Sequence, residues 1–175
     1  GAEASFVART VDSDRKHLTE VLRAAADHNG TALIEIYQNC PIFNDGAFET
    51  LEDKTQAQEA VIRLEHGRPI RFGTDQHKGV VRDPATGDLH VVEVTEDNED
   101  RILVHDAHAT SPTTAFALSR LADPDTLDQT PIGVFRTIER PVYDTLMADQ
   151  LDTAVEQKGK GDLATLLAGN DTWTV

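Results

Sequence analysis

The feature that most constrains this chain is a strand–helix–strand pattern within its first 37 residues. Residues 4–9 (ASFVAR) are short, apolar and β-favouring. Asp12 or Ser13 then offers an N-cap oxygen, and Asp14 places an acid in the first helical turn. Leu18, Val21, Leu22 and Ala25 recur at helical spacing, which gives one apolar stripe between charged faces. The helix is expected to stop at residues 28–30, where Asn29 and Gly30 tolerate a left-handed backbone. Residues 31–37 (TALIEIY) follow, with the apolar run of a parallel strand covered on both faces. Short connections between parallel strands predict a right-handed βαβ crossover. Two parallel strands do not make a stable open sheet. The expectation is therefore that neighbouring strands come from residues before Gly1 or from another chain, and that the chain begins in the middle of a fold.

After Asp45 the texture changes to a mixed α+β extension with hairpins. Residues 47–51 read as a short helix, and residues 52–60 as polar and exposed. Residues 61–64 and 69–72 flank the turn 65–68, as a hairpin would. Residues 79–82 and 89–94 flank 83–88, a clearer hairpin because Pro84 and Gly87 occupy turn positions. Residues 95–100 form an acidic, solvated loop, and 101–104 a short strand. A helix over 112–121, capped by Ser111, should bury Phe116 and Leu118 or Leu121. A second helix starts near Pro141 within 137–157, a favoured first-turn residue. A last helix covers 162–168, stopped by Gly169 and followed by the tail 170–175. Two domains are expected, 1–52 and 53–175.

Sixteen Lys plus Arg stand against 31 Asp plus Glu, a formal charge of −15. Such a chain repels phosphate backbones and anionic membrane surfaces, so no nucleic-acid or membrane partner is expected. No apolar stretch approaches the roughly 20 residues that span a bilayer. The expected location is cytoplasmic.

Ligands of open α/β sheets bind beyond the carboxyl ends of the strands. The segment in that place is Gln38-Asn39-Cys40-Pro41-Ile42-Phe43-Asn44-Asp45, which holds the only thiol of the chain. One cysteine excludes both an intrachain disulfide and a complete four-cysteine metal site. Cys40 has three readings: a small buried hydrophobe, a catalytic thiolate, or one ligand of a cluster whose other ligands lie outside this chain. A thiolate nucleophile needs a base, and none of the seven histidines lies in the segment. His105 and His108 resemble half a metal site. Glu35 inside the second strand is either functional or a paired structural carboxylate. Residues 159–162 (GKGD) follow a helix and lack the glycine spacing of a phosphate loop. Residues 96–100 lack the alternating ligands of an EF-hand.

The block GTALIEIYQNCPIFNDGAF, residues 30–48, resembles the β subunit of 2-oxoacid:ferredoxin oxidoreductases, particularly the 2-oxoglutarate type. The likeness extends to GAEASFVART, the Ser13-Asp14-Arg15 helix start, RLEHGRPIRFG, residues 102–107, AFALSRL at 115–121 and the closing DTWTV. It implies the C-terminal part of a thiamine-diphosphate-binding fold, whose site an α subunit completes. It further implies oxidative decarboxylation of a 2-oxoacid onto coenzyme A, with electrons leaving through a [4Fe–4S] cluster to ferredoxin. In the family pattern three cluster cysteines lie early in the subunit, and the fourth follows a late strand at the position of Cys40. Thiolates suit iron–sulfur irons. By proximity, Phe43 and Asn44 are expected near the cluster or the thiazolium; loop packing and a turn-stabilising Asn are the structural alternatives. Asp45 reads as a helix cap.

The Gly-Asp-Gly-Asp stretch and the downstream Asn that bind Mg2+ and the diphosphate in this family are absent, as are the other three cysteines. The resemblance therefore implies the C-terminal half of a β subunit, not competent alone. A thiamine-dependent lyase or transferase without electron transfer, and a non-catalytic docking module, are the alternatives.

Overall fold

In the computed structural model, residues 1–169 and Trp173 are described. Phe6–Val11 forms β1, Arg15–Asp27 α1 and Ala32–Tyr37 β2. β1 and β2 pair in parallel from Phe6↔Ala32 to Val11↔Tyr37, so the βαβ reading holds. The cap of α1 is Asp14 rather than Asp12 or Ser13: its carboxylate accepts from the His17 N–H at 3.1 Å. Phe6 and Ala8 of β1 meet Val21 of α1 in one core cluster, while Val11 faces Leu51, Ala60 and Ile132 on the other side.

Glu49–Glu52 (α2) and Lys54–Ala60 (α3) follow the Cys40 loop. The polar stretch 52–60 is thus largely helical, because Asp53 caps α3 by accepting from Thr55 N–H and Gln56 N–H. Val61–Leu64 (β3) and Arg71–Phe72 (β4) do flank a turn, but they do not pair with each other. β3 belongs to a four-stranded sheet of order β2-β1-β7-β3, in which β7 is Thr130–Thr137. β4 joins Lys78–Arg82 (β5) and Leu89–Glu93 (β6) in a three-stranded sheet. The β5–β6 hairpin is as expected, and the Asp83 carboxylate receives the N–H groups of Ala85 and Thr86 in its turn. Residues 101–104 form no strand; Ile102 and Val104 make single bridges to Val81 and Pro69. In Thr113–Ser119 (α4), Leu118 is fully buried while Phe116 is half exposed, which corrects the expectation for that ring.

β7, Thr130–Thr137, was not read from the sequence. It runs antiparallel to β1 and parallel to β3, so the second neighbour of β1 comes from this chain and not from outside it. A register shift between Val7 and Ala8 lets Phe135 turn into the core cluster with Ile62, Leu64, Ile70, Phe72, Val80 and Leu118. Gly133 enables the close approach of β3: its φ is +115°, and a Cβ there would lie 2.8 Å from the Leu64 carbonyl oxygen. Among the described residues β2 has no neighbour beyond β1, and Leu33 on its outer face is 58% exposed. The second strand is therefore covered on one face only, contrary to the two-sided expectation.

The architecture is mixed α/β, a parallel βαβ unit followed by an extension that contains a hairpin. Strands from both sides of residue 52 share one sheet, and the chain divides into compact units Gly1–Glu139 and Arg140–Val175. The second unit holds Tyr143–Lys158 (α5) and Leu163–Ala168 (α6), neither with a buried residue; Gly169 ends α6 as expected. The tail 170–175 lies outside the described residues apart from Trp173. No described helix is long and apolar enough to cross a membrane.

Candidate functional site

The carboxyl end of β2 runs directly into the loop 38–45, and the loop closes on itself. Cys40 and Asn44 form an isolated antiparallel bridge, with the Asn44 N–H on the Cys40 carbonyl at 2.9 Å. Asn39 braces it from both sides. Its Nδ2 donates to the Asp45 carboxylate at 3.0 Å, and its Oδ1 accepts from the Gly46 N–H at 2.9 Å. Asp45 is thus a brace rather than a cap, and the first helix after it begins only at Glu49.

Cys40 is half-buried and free. The backbone N–H of Phe43, and after it that of Ile42, hydrogen-bonds toward the sulfur and holds the thiol pKa below its ordinary value. The loop therefore favours thiolate, the form that ligates metals. No hydrogen bond joins a histidine to Cys40 among the described residues. His17 bonds Thr10, His28 bonds Ser5, and His105 and His108 bond the carbonyls of Val134 and Thr137. A cysteine–histidine nucleophile is not assembled. His105 is buried with its ring Nε2 on the Val134 carbonyl, so the 105/108 pair is not half a metal site either.

Phe43 is 90% exposed and Ile42 82% exposed, so neither packs within the chain. Asn44 stabilises the turn through its backbone, and its side chain stands at the exposed loop surface. Among the described residues, no three His, Cys, Asp or Glu side chains converge to hold a metal ion. A cluster at this loop would draw one thiolate from this chain and the rest from elsewhere; the electropositive N–H groups at the sulfur fit that donor role.

Glu35 is structural. Its carboxylate accepts from the Arg9 Nε at 2.6 Å, and Arg9 lies buried with its guanidinium 5.2 Å from the Tyr37 ring centroid and 5.3 Å from that of Phe135. Two further bonds run from Arg9 to the carbonyls of Pro131 and Ser119.

No family model matches the chain. Against curated proteins it is 50% identical over 177 residues to the 2-oxoglutarate oxidoreductase subunit KorB of Mycobacterium tuberculosis, an alignment covering all of this chain and 46% of KorB. Over its whole length the chain is thus similar to a 2-oxoglutarate oxidoreductase subunit. A 2-oxoacid:ferredoxin oxidoreductase subunit beta from Saccharolobus solfataricus is 27% identical over 103 residues, 54% of this chain and 32% of that one. The chain thus spans about half the length of KorB or less of its curated relatives. Among solved structures it matches a 2-oxoglutarate:ferredoxin oxidoreductase from Magnetococcus marinus, with a TM-score of 0.50 and 17% identity over 94% of this chain and 40% of that one. That likeness concerns the fold. The solved protein has 2-oxoglutarate, coenzyme A and succinyl-CoA bound.

Proposed function

We propose that the chain is part of the β subunit of a 2-oxoglutarate:ferredoxin oxidoreductase and that Cys40 gives one thiolate to a [4Fe–4S] cluster. The observation that carries this reading is the 50% identity to KorB along the whole chain. The half-buried, N–H-lined thiol at the carboxyl end of a parallel strand supports it. When bound, thiamine diphosphate with Mg2+ supplies the electron sink for decarboxylation, and the cluster accepts single electrons. The rest of both cofactor sites belongs to sequence outside this chain.

The residues of this chain hold and shield. The Asn39 brace fixes the loop, so the Cys40 sulfur keeps one position and its N–H donors offset charge on the thiolate. Phe43 and Asn44 face outward from the same loop and meet the cofactors or the α subunit. The aromatic ring of Phe43 excludes water there. The α subunit and ferredoxin are the proposed protein partners, with coenzyme A and 2-oxoglutarate as substrates and the cytoplasm as location. Alone, the chain is not catalytically competent. Residues 1–52 are the cofactor-facing part of the chain.

The test is Cys40→Ser in the complete αβ enzyme. It should lower iron content and visible iron–sulfur absorbance, and abolish 2-oxoglutarate-dependent reduction of ferredoxin. Full absorbance with normal activity would refute the assignment.

A further inference from the structure

Asn29 and Gly30 join α1 to β2, the strand that leads into the Cys40 loop. An asparagine or aspartate directly before a glycine is a reactive pair. The glycine nitrogen can attack the side-chain carbonyl carbon, and no Cβ stands in its way. The chain has two such pairs, Asn29–Gly30 and Asp45–Gly46.

The fold treats them in opposite ways. The Asp45 carboxylate accepts from Asn39 Nδ2 at 3.0 Å, and the Gly46 N–H donates to Asn39 Oδ1 at 2.9 Å. One side chain thus ties down both reacting groups. Asn29 and Gly30 are exposed, and neither the Asn29 side chain nor the Gly30 N–H makes a hydrogen bond among the described residues. The anchors stand on either side of them. His28 Nε2 shares a hydrogen bond with Ser5 Oγ at 2.8 Å. The Thr31 carbonyl accepts from the Phe6 N–H at 3.1 Å and from the Ser5 hydroxyl at 3.2 Å. Elsewhere Asn39 and Asn98 engage both atoms of their own amides.

We propose that Asn29–Gly30 is a site of spontaneous covalent modification, at which Asn29 loses its amide and the main chain becomes in part isoaspartyl. The Gly30 nitrogen gives its proton to hydroxide and attacks Asn29 Cγ. An N–C bond forms, the Cγ–Nδ2 bond breaks, and ammonia leaves. Water then opens the succinimide at one carbonyl or the other, giving aspartate or isoaspartate with no electron transferred. Isoaspartate adds a methylene to the main chain between the His28 and Thr31 anchors. Either the Ser5–His28 bond or the Phe6↔Ala32 register must then give. Both products also set a carboxylate just past the C-terminal end of α1, whose last turn has no basic residue to offset it. The proposal needs neither Cys40 nor a bound cofactor, so it stands apart from the cluster assignment.

The full-length protein, as wild type and Asn29→Gln, should be aged in buffer at neutral and mildly alkaline pH and mapped by peptide mass spectrometry. Urea-unfolded protein serves as the reference. Gly30 is left alone, because a Cβ there would lie 2.8 Å from Ser5 Oγ and its φ is +138°. In the folded wild type, Asn29 should gain the one-dalton mark of deamidation, with isoaspartate present, faster at the higher pH. Loss at Asn39 and Asn98 should be at least about tenfold slower, since each amide must first break its hydrogen bonds. Asp45 should keep its normal linkage. Asn29→Gln should remove the product while its circular dichroism matches the wild type, because glutamine must close a larger ring. An Asn29 amide that survives in the folded protein while the unfolded chain loses it overturns the proposal. Equal loss at Asn29, Asn39 and Asn98 in the folded protein overturns it as well.

Discussion

Replacing Arg9 by Met tests how the sheet is locked to the elements behind it. Arg9 is buried, and its charge is held by a carboxylate, two carbonyls and two aromatic faces. Glu35 is half exposed, so solvent screens that ion pair to about 1 kcal/mol or less. The carbonyl contacts at 3.2 and 3.4 Å are long, and each is worth about 1 kcal/mol. The two ring faces add about 0.5–1 kcal/mol apiece. Met refills much of the volume and recovers about 1 kcal/mol of apolar burial. The net loss is about 2–4 kcal/mol. Glu35→Gln keeps an amide oxygen for the Nε–H and should cost under about 1 kcal/mol. With a urea slope near 2 kcal/mol/M, Arg9→Met should lower the unfolding midpoint by about 1–2 M and Glu35→Gln by less than about 0.5 M. Far-UV circular dichroism follows both. Equal losses in the two variants would show that the ion pair, not the cage of rings and carbonyls, holds the arginine. Loss of activity in Glu35→Gln at unchanged stability would return Glu35 to a functional role.

Two further outcomes follow from packing and charge. Leu118 is fully buried in the core cluster between the sheets, so Leu118→Ala should cost about 3 kcal/mol by urea unfolding; a loss below about 1 kcal/mol would mean that this core is not packed. The Glu59 carboxyl is held by the Lys78 ammonium, then by the Thr74 hydroxyl and N–H, and its pKa falls from 4.5 to about 2. A depressed folded value gives stability that is complete above pH 4.5 and is lost as the pH falls through about 2. Glu59→Gln should therefore flatten the acid limb of a midpoint-against-pH series in that window, and an unaltered limb would contradict the pairing.

The first βαβ unit was legible because its signals are local: a cap, a 3.6-residue stripe and a short apolar run within 37 residues. The Cys40 loop was legible for the same reason, since it follows a strand directly. β7 was not, because Pro131 and Gly133 read as strand breakers. Pro131 is accommodated beside Ile62 of β3, and Gly133 uses its positive φ to admit Leu64. α3 escaped notice because KTQAQEA carries no large apolar residue and buries only Ala60. Phe116 shows the limit of periodicity: a ring at core spacing lies half exposed with the Arg120 guanidinium 5.7 Å from its centroid.

The place of β7 in the sheet also sets an order of events during synthesis. It lies between β1 and β3, yet among the described residues it is the last strand to emerge. Until residue 137 has left the ribosome, β3 lacks its sheet neighbour and β1 has only β2. The hairpin of β5 and β6 closes locally and early, whereas the pairing of Arg9 with Gly133 must span more than 100 residues of chain. A nascent chain halted before residue 130 therefore displays the β1 edge and the Ile62 and Leu64 face to the cell, which makes chaperone capture of that length a physical consequence of strand order.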